Sequence, residues 1–208
     1  MVSDASIRFF DAQFQRQVRN TDLRLNPFEQ AAIPYLHGRV LDYGCGLGNL
    51  SVAAAHNGCS VVALDASRAA IDHLRQVAQA KSLSIQAVEA DLRTYELHDE
   101  FDVVVSIGLL MFFDCPTAFA KLRDMQAHVR PGGVAVINVL VEGTSYLDMF
   151  DPSSHCLFSR AEMHARFAGW EILHCEYQDF PAPREQVKSF VTVVARKPEL
   201  ADAAFARS

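Results

Sequence analysis

The chain lacks several features that would assign it to common functional classes. Its 208 residues include five cysteines, an odd number, and none form a C-x-x-C pair. Neither a disulfide framework nor a metal site is therefore predicted, and most cysteines are expected to be small buried hydrophobes. There is no Lys/Arg block, and the formal net charge is -6. No nucleic-acid footprint and no membrane-surface patch are expected.

Two further absences concern location. No apolar run approaches the length of a transmembrane helix, and the N-terminus does not combine a basic start with an apolar core as signal peptides do. These absences predict a protein of the reducing cytoplasm, without a membrane partner.

Half of the residues are hydrophobic, which is enough for a large buried core. The length favours a single domain over residues 1–208. Within it, residues 1–36 are predicted to form an N-terminal helical lid, with helices over 4–19 and 28–36. Residues 37–196 are predicted to form the core, and residues 197–208 a frayed tail.

Apolar runs alternate with helical patterns through the core, which is typical of parallel β-α units. Strands are predicted at residues 40–41, 60–64, 84–88, 101–107 and 134–139, and helices at 49–57, 67–81, 116–129 and 159–167. Two further strands, at 170–177 and 188–195, are too close in sequence for a helical crossover. They are predicted to form an antiparallel hairpin.

The first predicted strand ends in a glycine-rich turn that feeds a helix. The segment is Arg39-Val40-Leu41-Asp42-Tyr43-Gly44-Cys45-Gly46-Leu47-Gly48-Asn49. Glycines let the backbone adopt positive φ and approach a ligand closely, and Asn49 is expected to cap the helix. Such a turn is typical of a cofactor cradle. Two other interpretations compete with it, namely a turn without a ligand and a nicotinamide site. The dinucleotide fingerprint is G-x-G-x-x-G, and Gly48 arrives one residue too early for it.

The segment resembles the D-x-G-C-G-x-G motif of the class I S-adenosylmethionine (SAM) methyltransferases. The resemblance implies a Rossmann-like seven-stranded sheet of order 3-2-1-4-5-7-6 with strand seven antiparallel. It also implies that SAM is the cofactor and S-adenosylhomocysteine (SAH) the product, with Asp42 facing the cationic methionine end. The cofactor-binding residues implied in this way are Asp42, Gly44, Cys45, Gly46, Gly48, Asn49, Asp65, Ala66, Asp91, Leu92, Ser106 and Ile107.

Three of the positions after the glycine turn have specific expected roles. Asp65 ends the second strand, where a carboxylate is placed to accept both ribose hydroxyls. In the methyltransferase pattern, Asp91 accepts from the adenine amino group, and the backbone N–H of Leu92 meets a ring nitrogen. The alternatives are a helix-terminal acid at Asp65 and a solvated loop acid at Asp91.

The methyl acceptor is less well defined by the sequence. Ser106-Ile107-Gly108-Leu109 stands where enzymes of exocyclic amines and amides carry Asn/Asp-Pro-Pro-aromatic. Such acceptors are therefore disfavoured, and a small molecule is expected. Four polar residues are expected near the substrate mouth: Asp114, Tyr146, His155 and Arg160. None is an unmistakable general base, so no catalytic residue is assigned.

The C-terminal half resembles the tellurite-resistance methyltransferases. The shared features are Phe158 before a short helix, Trp170-Glu171 at a strand start and Ala195-Arg196-Lys197 at a strand end. This favours a soft nucleophile, such as a thiol or a chalcogen oxyanion. The loop at 178–186 departs from that family because it is short and has no His. An O- or N-methyltransferase of a metabolite and an inactive SAM-binding subunit stay as alternatives.

The N-terminal segment and the segment 141–158 are expected to cover the site. Arg16 or Arg19 is expected either to meet the SAM carboxylate or to lie on a solvated helix face. The aromatic residues expected to close over a ligand are Phe9, Phe10, Phe14, Phe28, Tyr146, Phe150 and Phe158.

Overall fold

The computed structural model describes residues 24–151 and 154–199. Its helices are α1 (Pro27–Ala32), α2 (Asn49–His56), α3 (Arg68–Ala80), α4 (Cys115–Ala127) and α5 (Arg160–Arg166), with 3-10 turns at Ile33–Tyr35 and Leu110–Phe112. Its strands are β1 (Arg39–Tyr43), β2 (Ser60–Asp65), β3 (Ile85–Glu89), β4 (Phe101–Ile107), β5 (Val129–Leu140), β6 (Glu171–Ala182) and β7 (Gln186–Arg196). The predicted helix over 4–19, with Arg16 and Arg19, lies outside the described residues.

The strands form one seven-stranded sheet in the order β3-β2-β1-β4-β5-β7-β6. β1 to β5 pair in parallel, whereas β7 runs antiparallel to both β5 and β6. The predicted fold class, strand order and terminal hairpin are confirmed. The strand order reverses between β1 and β4, so the chain segments that follow these two strands run over opposite faces of the sheet. A crevice opens there at the carboxyl ends of the strands.

Strand β4 lies at the centre and is buried on both faces. Val103 and Val105 pack into the apolar cluster on one face, and Phe101 and Val104 into the cluster on the other. Successive side chains of a strand point to opposite faces, so a continuous apolar run serves two cores at once. This central position explains the uninterrupted apolar run of the strand.

The later strands are longer than predicted. β5 begins at Val129, ahead of the predicted start at residue 134, and includes Arg130-Pro131-Gly132-Gly133. The register against β4 shifts between Phe101 and Val103, so the segment is an irregular strand start. β6 and β7 also extend to Ala182 and Gln186, which shortens the connecting loop to three residues.

The helix starts follow local capping chemistry. Ser67, Asp114 and Ser159 each accept a backbone N–H with the side chain at the start of α3, α4 and α5. The cap of α2 was predicted wrongly. Gly48 occupies the N-cap in a left-handed conformation, and Asn49 is the first helical residue. A Cβ at Gly48 would lie 2.5 Å from Leu74 Cδ1, so only glycine fits there.

The expectation that no disulfide forms was wrong. Cys115 and Cys156 are bonded, with their Cα atoms 4.7 Å apart and a sequence separation of 41. Their proximity is a tertiary effect, because the backbone N–H of Cys156 donates to Met111 O at 3.0 Å and seats its segment beside the start of α4. The other three cysteines, Cys45, Cys59 and Cys175, are free thiols.

We predict that this disulfide stabilises the fold. Closing a loop of 41 residues removes chain entropy from the unfolded state worth about 4 kcal/mol in the simplest model. Chemical denaturation with and without a reductant measures the difference, and Cys115→Ser/Cys156→Ser should reproduce the reduced value. The Cys175→Ser variant is the control. Equal stability of the oxidised and reduced protein would contradict the prediction.

Candidate cofactor site

A cavity of about 410 Å³ opens at the carboxyl ends of the parallel strands. This volume lies within the range typical of small-molecule and cofactor sites. The residues that line it are Arg24, Asn26, Phe28, Glu29, Asp42, Gly44, Cys45, Gly46, Leu47, Asn49, Leu50, Asp65, Ala66, Ser67, Leu92, Ile107, Gly108, Leu109, Met111, Phe112, Phe113, Asn138, Tyr146, Met149, Lys188 and Phe190.

The glycine turn forms one wall of the cavity. Gly44 and Gly46 have φ of 89° and 53°, a region that side chains strain. A Cβ on Gly44 would lie 2.9 Å from Leu109 Cδ2. The N–H groups of Gly44 and Cys45 both donate to Leu64 O, at 2.8 and 3.0 Å, which fixes the turn against the end of β2. The backbone of the turn is thereby exposed to the cavity.

Asp65 connects the turn to the next helix. One carboxylate oxygen accepts from Gly46 N and the other from Ser67 N, both at 2.8 Å. The protein therefore fixes the orientation of this carboxylate, which lines the cavity.

Asp42 lies at the base of the cavity and is 5% exposed. Its carboxylate accepts from Ser51 Oγ at 2.6 Å. Desolvation by burial raises the pKa of Asp42 to about 7, and the negative charges of Glu29 and Asp65 add to this effect, while the Ser51 hydrogen bond opposes it. A buried carboxylate with a raised pKa is a site prepared for a cation, because a positive ligand removes the penalty on the charged form.

Glu29 makes the same end of the cavity more acidic. It is held in a capping box, in which its carboxylate accepts from Asn26 N at 2.7 Å and its own N–H donates to Asn26 Oδ1. Burial raises the pKa of Glu29 as well. Three carboxylates thus surround the glycine end of the cavity, a charge arrangement that favours a cationic ligand.

The structure brings most of the predicted cofactor residues to one cavity. Nine of the twelve line it: Asp42, Gly44, Cys45, Gly46, Asn49, Asp65, Ala66, Leu92 and Ile107. Gly48, Asp91 and Ser106 do not. Ser106 is fully buried and alternates with Ile107 along β4, so its side chain points to the other face. Asp91 is exposed and accepts from Arg93 N, one residue before the lining residue Leu92.

Of the four polar residues expected near the substrate mouth, the lining includes Tyr146 alone. Asp114 caps α4 through Thr117, and these hydrogen bonds lower its pKa. The His155 ring stacks on Phe150, with centroids 5.1 Å apart. The Arg160 guanidinium lies over the Tyr177 ring. These three side chains therefore serve local packing and capping.

The sequence reasoning missed several cavity residues. Ser51 was not singled out, although a Ser two residues into the helix after a glycine turn is placed to meet the strand-end acid. Lys188 and Phe190 alternate along β7 on the cavity face, a period-two signal that the sequence does carry. Asn138 is fully buried within β5 and gives no such signal, since its surroundings are made by β7.

Among the described residues, no group of three or more His, Cys, Asp or Glu side chains is arranged to hold a metal ion. Across the same residues, no helix has both the length and the apolar character needed to cross a membrane.

The comparison with family models matches residues 40–133 to a methyltransferase domain. This match covers the glycine turn and strands β1 to β4. The strand order and terminal hairpin are those that the resemblance to the class I SAM methyltransferases implied, and the matched segment is similar to a methyltransferase domain. The chain is also similar to the TehB protein of Haemophilus influenzae.

The probable SAM-dependent methyltransferase TehB of that organism is 27% identical over 76% of this chain and 57% of its own length. The crystal structure of TehB superposes with a TM-score of 0.72 at 21% identity, over 83% of this chain and 62% of the other. That likeness supports the fold alone.

Two further relatives are similar in sequence. Hemagglutinin 1 of Eikenella corrodens is 30% identical over 77% of this chain and 55% of its own length. Cypemycin N-terminal methyltransferase of a Streptomyces species is 37% identical over 63% of this chain and 49% of its own length. The chain spans about half the length of the curated relatives it matches.

We predict opposite effects of Asp42→Asn on stability and on ligand affinity. The raised pKa means that ionised Asp42 destabilises the fold as pH rises from its unfolded-state pKa to about 7. The variant should therefore be more stable than the wild type at pH 8, by on the order of 4 kcal/mol at most, and equal to it near pH 4. Thermal melts of the ligand-free proteins measure this.

The same variant should bind SAM more weakly, by about 1.5–3 kcal/mol, because it loses a charged hydrogen-bond acceptor. The loss should grow as pH rises through about 7, where wild-type Asp42 ionises. The amino group of SAM also titrates, and it does so in the same way with both proteins. The pH dependence measured with the variant is therefore the control for this contribution. Unchanged SAM affinity at pH 8 would contradict the assignment of Asp42 to the cofactor.

Proposed function

We propose that the protein transfers the methyl group of SAM to a small-molecule acceptor. The observation that carries the proposal is the buried, Ser51-bound carboxylate of Asp42 beneath a glycine turn that exposes its backbone. A desolvated acid of this kind is costly unless it meets a cation. SAM carries two, the ammonium and the sulfonium, and the sulfonium supplies an activated methyl group.

The cavity residues fit the parts of this cofactor in order. Asp42 and Glu29 face the cationic methionine end, and Asp65 accepts from the ribose hydroxyls. Leu92 packs against the adenine, and Asp91 at the adjoining rim accepts from the adenine amino group. The backbone at Ile107 and Gly108 borders the methyl position. The supporting facts are that Asp42, Glu29, Asp65 and Leu92 line a single cavity and that left-handed glycines keep one of its walls free of Cβ atoms.

What this chain does for the reaction is mainly positioning. Methyl transfer from a sulfonium is an in-line displacement, so alignment of acceptor and methyl supplies much of the rate. A thiolate or a chalcogen oxyanion needs no general base, which suits a cavity whose acceptor side is mostly apolar. That side is formed by Met111, Phe112, Met149 and Phe190.

An amine acceptor is the second candidate. The relative that acts as an N-terminal methyltransferase of cypemycin shares 37% identity with this chain, the highest value among these relatives. A neutral amine also reacts without a base. Side-by-side turnover assays with small thiols, chalcogen oxyanions and amines, scored by SAH release, separate the two candidates.

We predict that Asp65→Asn weakens SAM binding by about 10- to 150-fold, the equivalent of 1.5–3 kcal/mol for a charged hydrogen bond. The amide keeps the shape of the side chain, so circular dichroism should be unchanged. Asp72→Asn is the matched control, because Asp72 lies on the exposed side of α3, where it pairs with Arg68 and Arg75. Calorimetry measures both variants.

If Asp65→Asn binds SAM with wild-type affinity, Asp65 does not contact the cofactor and only shapes the turn. SAM binding with no turnover on any acceptor would instead favour a regulatory SAM-binding subunit. Absence of SAM binding by the wild-type protein would overturn the proposed function itself.

A further inference from the structure

The cavity has two ends of opposite character. The glycine end carries the carboxylates of Glu29, Asp42 and Asp65, as described above. The far end is lined by apolar and aromatic side chains and a single lysine: Met111, Phe112, Tyr146, Met149, Lys188 and Phe190. A cofactor held by the acids leaves the far end for the methyl acceptor.

Lys188 is the cationic group of this far end, and no carboxylate in the described part of the chain pairs with it. Its ammonium lies 4.7 Å from the centroid of the Tyr146 ring, and within residues 24–151 and 154–199 it forms no ion pair. The nearby acid Asp148 is engaged by Arg184 at 3.1 Å. A half-buried ammonium without a counter-ion beside apolar walls attracts an anion, since the low surrounding polarity strengthens the interaction.

Hydrogen bonds fix the part of the cavity wall that bears Lys188. The N–H groups of Ser145 and Tyr146 both donate to Val187 O, at 2.9 and 3.1 Å, and Val187 N donates to Ser145 Oγ. These bonds fasten the segment that bears Tyr146 to the start of β7, directly beside Lys188. The ring therefore limits where the flexible lysine stem can go, and it keeps the ammonium at the cavity.

We propose that this far end is an acceptor subsite for a small organic anion, with an apolar or aromatic body against Phe112 and Phe190 and a carboxylate at Lys188. The inference rests on the proposed function, and it names the substrate class. The carboxylate is a binding group distant from the nucleophilic atom, so the proposed substrate class includes both thiol and amine acceptors.

The first test measures binding without turnover. The protein is saturated with SAH, and calorimetry compares benzoate with benzamide, its neutral isostere. We expect benzoate to bind about tenfold more tightly, in line with a charge-assisted contact that is partly solvated. Lys188→Met, which keeps the apolar stem, should abolish this preference, and Lys188→Arg should retain most of it. Lys81→Met, at the exposed end of α3, is the matched control.

The second test measures turnover with paired acceptors. 4-Mercaptobenzoate is compared with thiophenol, and 4-(aminomethyl)benzoate with benzylamine. In whichever pair reacts, the acceptor that carries the carboxylate should have the lower KM. Lys188→Met should raise the KM of that acceptor about tenfold, with a smaller change in kcat. The affinity for SAH should not change in any lysine variant.

The outcomes distinguish this inference from the proposed function. Loss of SAH binding in the wild type would overturn the function. Intact SAH binding with no preference for benzoate over benzamide would overturn the anionic subsite alone. A preference that survives in Lys188→Met would show that another group holds the anion, and it would overturn the assignment of Lys188.

Discussion

The reversal of the chain between β1 and α2 is the constraint on which the site depends. The chain leaves the sheet at Tyr43 and enters a helix at Asn49, and it makes the turn with three left-handed glycines. Leu64 O accepts two N–H groups of this turn, and Asp65 accepts a third. The end of β2 therefore positions the end of β1. A side chain at Gly44 would collide with Leu109, and one at Gly48 would collide with Leu74.

Burial of like charges is the main cost of this arrangement. Asp42 is desolvated and lies near two other carboxylates, and all of these effects raise its pKa. The Ser51 hydroxyl compensates only in part. Folded proteins tolerate such costs where a ligand relieves them, so the destabilising acid and the cofactor site have a common origin.

The acceptor side is assembled from parts that are distant in sequence. The turn at Leu110–Phe112, the segment after β5 and the start of β7 meet there. The Cys115–Cys156 bond ties the first two together, and backbone hydrogen bonds from Ser145 and Tyr146 tie the second to the third. The phenyl rings of Phe112 and Phe150 pack across the same junction, 4.9 Å apart. This wall is therefore a tertiary product.

The sequence by itself determined the features that depend on local chemistry and periodicity. Apolar runs and turn residues specified the parallel units and the hairpin, and the glycine spacing with Asp42 and Asp65 located the acidic end of the cavity. Tertiary structure decided what depends on contacts between distant segments. It paired Cys115 with Cys156 and enclosed Ser51 beside Asp42, and among the described residues it gave Lys188 no carboxylate partner. No local pattern encodes these outcomes, because each is a property of which surfaces the packed sheet brings together.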